Sequence, residues 1–203
     1  MPAPIVMGAA AVLVDCADAD EVLAVHAEAL RRREAGLLTA EEIVPAARTV
    51  LLAGVPDPAA LAAAITGWEL RAVDVAAGPV VEIPVRFDGP DLPDVAAHWG
   101  VTAPAAEATV LAAELTVAFC GFSPGFAYLT GLGREVPRRA TPRTSVPAGS
   151  VALAGPYAGV YPQRSPGGWQ IVGTAVGIEI WDVERDPAAL LSPGTRVRFV
   201  AAT

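Results

Sequence analysis

From Leu115 onward, apolar residues occur only in short runs, each closed by glycine or proline. The clearest are residues 116–120, 150–154, 159–161, 170–173, 177–181 and 195–200. Runs this short do not make helices, and turns at this density fold each strand back beside a neighbour. This part of the chain therefore predicts a β-barrel or sandwich. The earlier part has a different rhythm. Residues 8–14 predict a buried first strand. Asp18 predicts an N-cap, followed by Asp20 and Glu21 where the helix dipole favours acids. That helix continues with apolar residues at helical spacing to Arg31–Arg33 and stops at Gly36. Residues 48–53 predict a second strand, and Asp57-Pro58 opens a second helix through Leu61 and Ile65. Strand, helix, strand, helix within about 70 residues predicts a small ferredoxin-like α/β domain. The rhythm changes near residue 78, giving expected domains at 1–78 and 79–203. The second opens with a strand at 80–87, a short helix at 91–99 and another, capped by Thr102, running to Glu114.

Composition narrows the chemistry. All 14 basic residues are arginine, and there is no lysine or asparagine. The chain therefore has no lysine for a P-loop phosphate cradle, a Schiff base or a biotin. Two histidines (His26, His98) and two cysteines (Cys16, Cys120) are too few for a zinc site of the usual kind, and no metal site is expected. A net charge of −8 argues against general binding to nucleic acid. The apolar start carries no cationic residue before it, unlike a signal peptide, and two cysteines do not make a disulfide framework. The longest uncharged stretch, 144–163, is broken by prolines and glycines and cannot be a membrane helix. A cytoplasmic protein is expected. The charge is uneven: residues 1–100 hold 15 acids and 6 arginines, whereas 101–203 hold 7 acids and 8 arginines. Arg134, Arg138, Arg139, Arg143 and Arg164 stand against Glu135 alone in 134–164, a cationic zone suited to an anion or a docking partner.

Three segments carry unusual chemistry. Gly121-Phe122-Ser123-Pro124-Gly125 formally matches a nucleophile elbow. Pro124, however, has no N–H for an oxyanion hole, and no histidine follows Ser123. A tight turn carrying Phe122, Phe126 and Tyr128 into a core is the plainer reading. In 137–150, prolines stiffen a loop that bears Arg138, Arg139 and Arg143. Guanidinium groups held this way can clamp a carboxylate or phosphate, or pair with the acidic first domain. Tyr161, Gly167, Gly168 and Trp169 form either a close approach to a ligand beside an indole wall or a tight hairpin on a core. Asp91 and His98 lie two helical turns apart. They could share one side of a helix, and read as a cap and a half-buried histidine. Cys120 reads as a small buried residue.

Together these segments resemble one family. The runs GFSPGFAYLTGL, VPRRATPRTSVPAGSVALAG and GVYPQRSPGGWQIVGTA are similar to the 5-oxoprolinase B-subunit / KipI family, also labelled allophanate hydrolase subunit 1 or carboxyltransferase domain subdomains C and D. VEIPVRFDGPDLPDVAAHWGVT resembles the same family's entry into its second domain. The resemblance covers most of 80–200 and is weaker over 8–75. Family positions matched here include Asp91, Phe122, Pro124, Gly125, Phe126, Tyr128, Arg139, Arg143, Ser150, Tyr161, Gly167, Gly168 and Trp169. The chain departs from the family near Val110, where relatives often carry histidine.

The resemblance implies a cyclophilin-like β-barrel after a small α/β domain. It also implies action with two partners, a carboxyltransferase-related C-subunit plus an A-subunit, opening the lactam of 5-oxoproline to glutamate at the expense of ATP. On that reading Arg139 and Arg143 bind the anions, Asp91 or His98 serves as general base, and Phe126, Tyr161 and Trp169 exclude water. Phe122, Gly125, Tyr128, Ser150, Gly167 and Gly168 complete the substrate site. ATP, with any Mg, is expected mainly on the partner subunits, and no biotin on this chain. Two other readings stand beside it. One is a regulatory binding protein of the KipI type that inhibits a histidine kinase. The other is an allophanate- or urea-related carboxyltransferase-domain subunit.

Overall fold

The computed structural model describes residues 2–73 and 80–202. The chain divides into two compact units, Met1–Asp74 and Val75–Thr203. The boundary expected at residue 78 lies outside the described residues.

The first unit runs β1 (Ala3–Met7), β2 (Ala11–Asp15), α1 (Ala19–Glu34), β3 (Glu42–Pro45), β4 (Thr49–Ala53) and α2 (Pro58–Ile65). Its sheet is antiparallel throughout, in the order β1-β2-β4-β3. Read from β2, the chain is strand, helix, strand, strand, helix, and β1 occupies the last strand's place. The sheet is thus ferredoxin-like, entered from a permuted start. Local chemistry sets both helix starts. The Asp18 carboxylate accepts the Glu21 N–H at 2.9 Å, and Asp57 accepts the Ala60 N–H at 3.0 Å ahead of Pro58. Gly36, at φ 71°, follows the end of α1. Val12, Val14, Val50 and Leu52 turn one sheet face onto Val22, Val25 and Ala29 of α1 and Ile65 of α2. The strand expected at 8–14 begins later, because Gly8 takes a positive φ of 61° in the β1–β2 turn. That strand, β2, is buried at Val12 and Val14, and an edge strand, β1, precedes it, with Ile5, Val6 and Met7 about half exposed.

The second unit contains β5 (Val80–Arg86), α3 (Leu92–Trp99), α4 (Ala103–Ala112), β6 (Leu115–Cys120), β7 (Ala127–Thr130), β8 (Arg143–Val146), β9 (Ser150–Ala154), β10 (Tyr157–Val160), β11 (Ser165–Gly167), β12 (Gln170–Ala175) and β13 (Arg196–Ala201). Seven strands close a barrel in the order β10-β7-β6-β13-β5-β12-β9, and β8 pairs with β11 in a separate ribbon. Alternation along the strands separates two apolar layers. Leu129, Val151, Leu153, Ala158 and Val172 fill the main core with Leu115, Val117, Phe199 and residues of α3 and α4. Ala152, Ala154 and Ile171 point the other way, into a second cluster with Phe126, Val146, Tyr161 and Trp169, against which Tyr128 and Tyr157 pack. β9 is therefore buried on both faces, which explains its unbroken apolar sequence. Val110 is fully buried on α4, in the main core. Residues 177–181 are not a strand. Trp181 forms only an isolated bridge to Ala189, and Arg185 donates to the carbonyls of Glu179 and Ile180, the backbone acceptors a ladder would have used.

Glu28 gives the first unit a built-in acid sensitivity. It is buried on α1 and accepts from Arg31 Nε at 2.8 Å and Arg32 Nε at 2.6 Å, with Arg32 lying 4.9 Å from the centre of the Trp68 ring. Hydrogen bonds from Arg31, and then Arg32, outweigh burial and hold its carboxyl below the usual 4.5. A lowered folded-state pKa gives stability that is present above pH 4.5 and is lost as the pH falls through the folded value. Thermal melting between about pH 6 and 3 should show this loss in the wild type. Glu28→Gln should start less stable and show a shallower acid dependence.

Candidate functional site

A missing side chain positions the key carboxylate. Gly89 lies so close to β12 that a β-carbon there would overlap the backbone of Ile171 and Val172. The approach lets Gly89 N–H donate to Val172 O and Asp91 N–H donate to Ile171 O. Asp91 then turns its carboxylate inward. It stands at the N-cap of α3 yet makes no capping bond, contrary to the expected role. Instead Oδ2 accepts the Ile171 N–H at 2.7 Å, while Oδ1 accepts Arg139 Nη1 at 2.8 Å and Arg143 Nη2 at 2.7 Å. Asp91 is almost fully buried, and both guanidinium groups are partly buried. A carboxylate already holding three donors is an anchor for the 139–143 segment, not a free base. His98 is exposed at the other end of α3, away from the buried Asp91 carboxylate, and is not the half-buried histidine expected.

Pro137 and Arg138, just before the anchored segment, form one side of an aromatic cavity of about 530 Å³. Arg139 N–H donates to Gly168 O at 2.8 Å, fixing the loop against the cavity wall. The neighbouring Arg138 is exposed and lines the cavity, the only charged residue to do so. Among the described residues Arg138 forms no ion pair or hydrogen bond. The other walls are Phe122, Phe126, Tyr128, Tyr157, Tyr161, Gly167, Gly168 and Trp169, with Pro137, Pro156, Ala154 and Gly155 between them. Phe126 meets Tyr128, Tyr161 and Trp169 edge to face, so the walls brace one another. Gly159, on β10, leaves room for Phe126 and Trp169, since a β-carbon there would lie 3.1 Å and 3.3 Å from their rings. Burial pushes the Tyr161 phenol up, opposed chiefly by Arg138, and the Trp169 backbone N–H bonds to its hydroxyl. Burial also raises the Tyr128 phenol. Both are neutral hydrogen-bond donors near pH 7.

Seven of the expected binding residues therefore meet in one place: Phe122, Phe126, Tyr128, Tyr161, Gly167, Gly168 and Trp169. Gly125 and Ser150 do not line this cavity. Gly125 lets its turn pack on Trp181, whose Cβ would be 2.7 Å from an added β-carbon. Ser150 faces a second hollow of about 260 Å³ together with Arg143. Arg139 and Arg143, the expected anion-binding pair, converge on Asp91, and the cation lining the cavity is Arg138. Sequence reasoning named Arg138 among the loop's arginines but assigned only Arg139 and Arg143 to the site, and it did not single out Tyr157. The signal was available in strand parity, because Tyr157 shares the outward register of Ala152, Ala154 and Tyr128.

The remaining candidates are bland. Burial raises the Cys16 thiol to about 11 and pushes Cys120 up, so neither is an activated nucleophile. Ser123 Oγ is buried, with no hydrogen-bond partner among the described residues. Its neighbour Phe122 is strained, at φ 71°, and 59% exposed, with its ring edge-on to Phe126 and Tyr161. Among the described residues no group of three metal-ligating side chains occurs, and no helix is long and apolar enough to cross a membrane.

The barrel carries an aromatic-walled cavity with Arg138 in its lining. Residues 5–191 match the model of the carboxyltransferase domain, subdomains C and D, and the chain belongs to that family. It is 47% identical over 125 residues to the 5-oxoprolinase B-subunit of Escherichia coli O157:H7, covering 59% of this chain and 57% of that protein. It is 39% identical over 126 residues to the Bacillus subtilis protein of the same name, covering 60% and 52%. The chain thus spans little more than half the length of these relatives. Among solved structures, TTHA0988 superposes with a TM-score of 0.79 at 35% identity, covering 96% of this chain and 40% of that one.

Asp91→Asn should destabilise the second unit by about 3 kcal/mol in denaturant unfolding, because it removes the one carboxylate facing two partly buried guanidinium groups. Gly89→Ala should cost about 1–3 kcal/mol through the same region, by pushing the Asp91 turn off β12.

Proposed function

We propose that this chain is the B-subunit of a cytoplasmic, ATP-dependent 5-oxoprolinase, which opens the lactam of 5-oxoproline to glutamate together with two partners, a carboxyltransferase-related C-subunit plus an A-subunit. The observation that carries this reading is Arg138, an unpaired cation at the side of an aromatic cavity, in a chain similar to proteins named as 5-oxoprolinase B-subunits. The substrate's carboxylate bonds to the guanidinium of Arg138. The rings of Phe126, Tyr161 and Trp169 keep water from the face of the lactam, and the neutral phenols of Tyr128 and Tyr161 offer hydrogen bonds to its carbonyl oxygen.

The division of labour follows from what the cavity lacks. Among the described residues its lining holds no carboxylate and no histidine, and we assign water activation to a partner chain. The same donor set, one guanidinium and several phenols, does not suit Mg, and the chain has no lysine for a phosphate loop. ATP, when bound, supplies the driving force for opening a resonance-stabilised amide, and we assign its metal and the main part of its site to the partners.

Co-expression with the candidate A- and C-subunits tests the proposal. The purified assembly should form glutamate from 5-oxoproline only with ATP, and this chain alone should form none. Arg138→Gln should lower kcat/KM about tenfold or more, mainly through KM, with an unchanged melting temperature. An intact assembly without turnover, or turnover indifferent to Arg138→Gln, would overturn it. Inhibition of a histidine kinase by the purified chain, with no lactamase activity in the assembly, would establish the regulatory reading instead.

A further inference from the structure

The aromatic cavity is larger than the lactam acid it is read to hold. At about 530 Å³ it falls within the range of roughly 300–1,000 Å³ that suits drug-sized ligands. 5-Oxoproline has nine non-hydrogen atoms and fills roughly a quarter of that volume at about 15 Å³ per close-packed atom. Its carboxylate needs one cation, and Arg138 is the one charge in the lining. The rest of the lining is almost wholly ring and aliphatic surface.

That surface is held open. Phe126, Tyr128, Tyr161 and Trp169 are locked edge to face at centroid distances of 5.1–5.5 Å, so they do not collapse into the space. Gly155 adds an open stretch of wall, where a β-carbon would meet nothing within 4 Å. Phe122 holds an exposed ring at the rim at the expense of a left-handed backbone. A compact polar ligand would leave most of this surface wet, whereas a planar aromatic group covers it and meets ring edges and faces directly.

We propose that the cavity binds a planar aromatic group together with the anion on Arg138, so that its full ligand is an aromatic-bearing anion. The inference rests on reading this cavity as the ligand site of the assembly. Two sources share the chemistry: an aromatic substituent carried by the lactam substrate, or the base of a nucleotide.

Titration of the full chain, by calorimetry and tryptophan fluorescence, separates them with three probes used singly: 5-oxoproline, 5-oxoprolyl-phenylalanine and ATP. At least one ring-bearing probe should bind about tenfold tighter than 5-oxoproline. A preference for the dipeptide assigns the ring to the substrate, and a preference for ATP assigns it to a nucleotide. Phe122→Ala, at an exposed position, should remove most of that advantage, read as the ratio of each ring-bearing probe's affinity to that of 5-oxoproline. Arg138→Gln should weaken all three probes. If 5-oxoproline binds as tightly as both ring-bearing probes, or the advantage survives Phe122→Ala, the inference is overturned and the proposed function stands. If none of the three binds, both fall.

Discussion

One buried carboxylate organises the ligand side of the barrel. Asp91 ties the N-terminus of α3 to β12 through the Ile171 amide and ties both to the 139–143 segment through two guanidinium groups. Its charge neutralises only one of the two arginines, and Arg139 Nε and Arg143 Nη1 are buried with no partner among the described residues. The cluster therefore stays cationic immediately behind the Gly168 wall. Its field reaches the cavity: Arg143, like Arg138, opposes the effect of burial on the Tyr161 phenol. The cavity thus faces one cation directly and surplus positive charge behind it.

The arginine doublet divides two tasks between adjacent residues. Arg139 turns inward and is fixed at both its side chain and its amide, to Asp91 and to Gly168. Because the backbone is pinned there, Arg138 is presented to the cavity without an ion pair of its own. A guanidinium already paired to a carboxylate has less to offer a ligand than one held open beside an apolar wall.

Much of the architecture was legible because it is written locally. The caps at Asp18 and Asp57, the stop at Gly36 and the glycine- and proline-bounded runs of the barrel each depend on residues a few positions apart. The aromatic walls were legible as a set for a related reason: Phe126 and Tyr128, then Tyr161 and Trp169, sit in unusual turn-flanked segments. Asp91 was misread because an acid one residue before a helix looks like a cap. Its actual partners lie 48, 52 and 80 residues away, and only the closing of the barrel brings them together. The same limit explains the choice of Arg139 over Arg138, since the facing of consecutive loop residues is set by contacts that local spacing does not record.

The opposite rim of the cavity is held by packing. Arg185 gathers the carbonyls of Glu179, Ile180 and Ala188 within residues 177–189, which form no strand beyond the isolated Trp181–Ala189 bridge. This irregular segment carries Trp181, which fills the space that Gly125 leaves empty and so braces the turn from Gly121 to Phe126. On that turn Phe122 bears two costs at once, a left-handed backbone and an exposed ring. Neither is offset within the described structure beyond edge contacts with Phe126 and Tyr161. A large aromatic side chain kept at such expense at the mouth of an aromatic cavity makes physical sense when a ligand completes its burial.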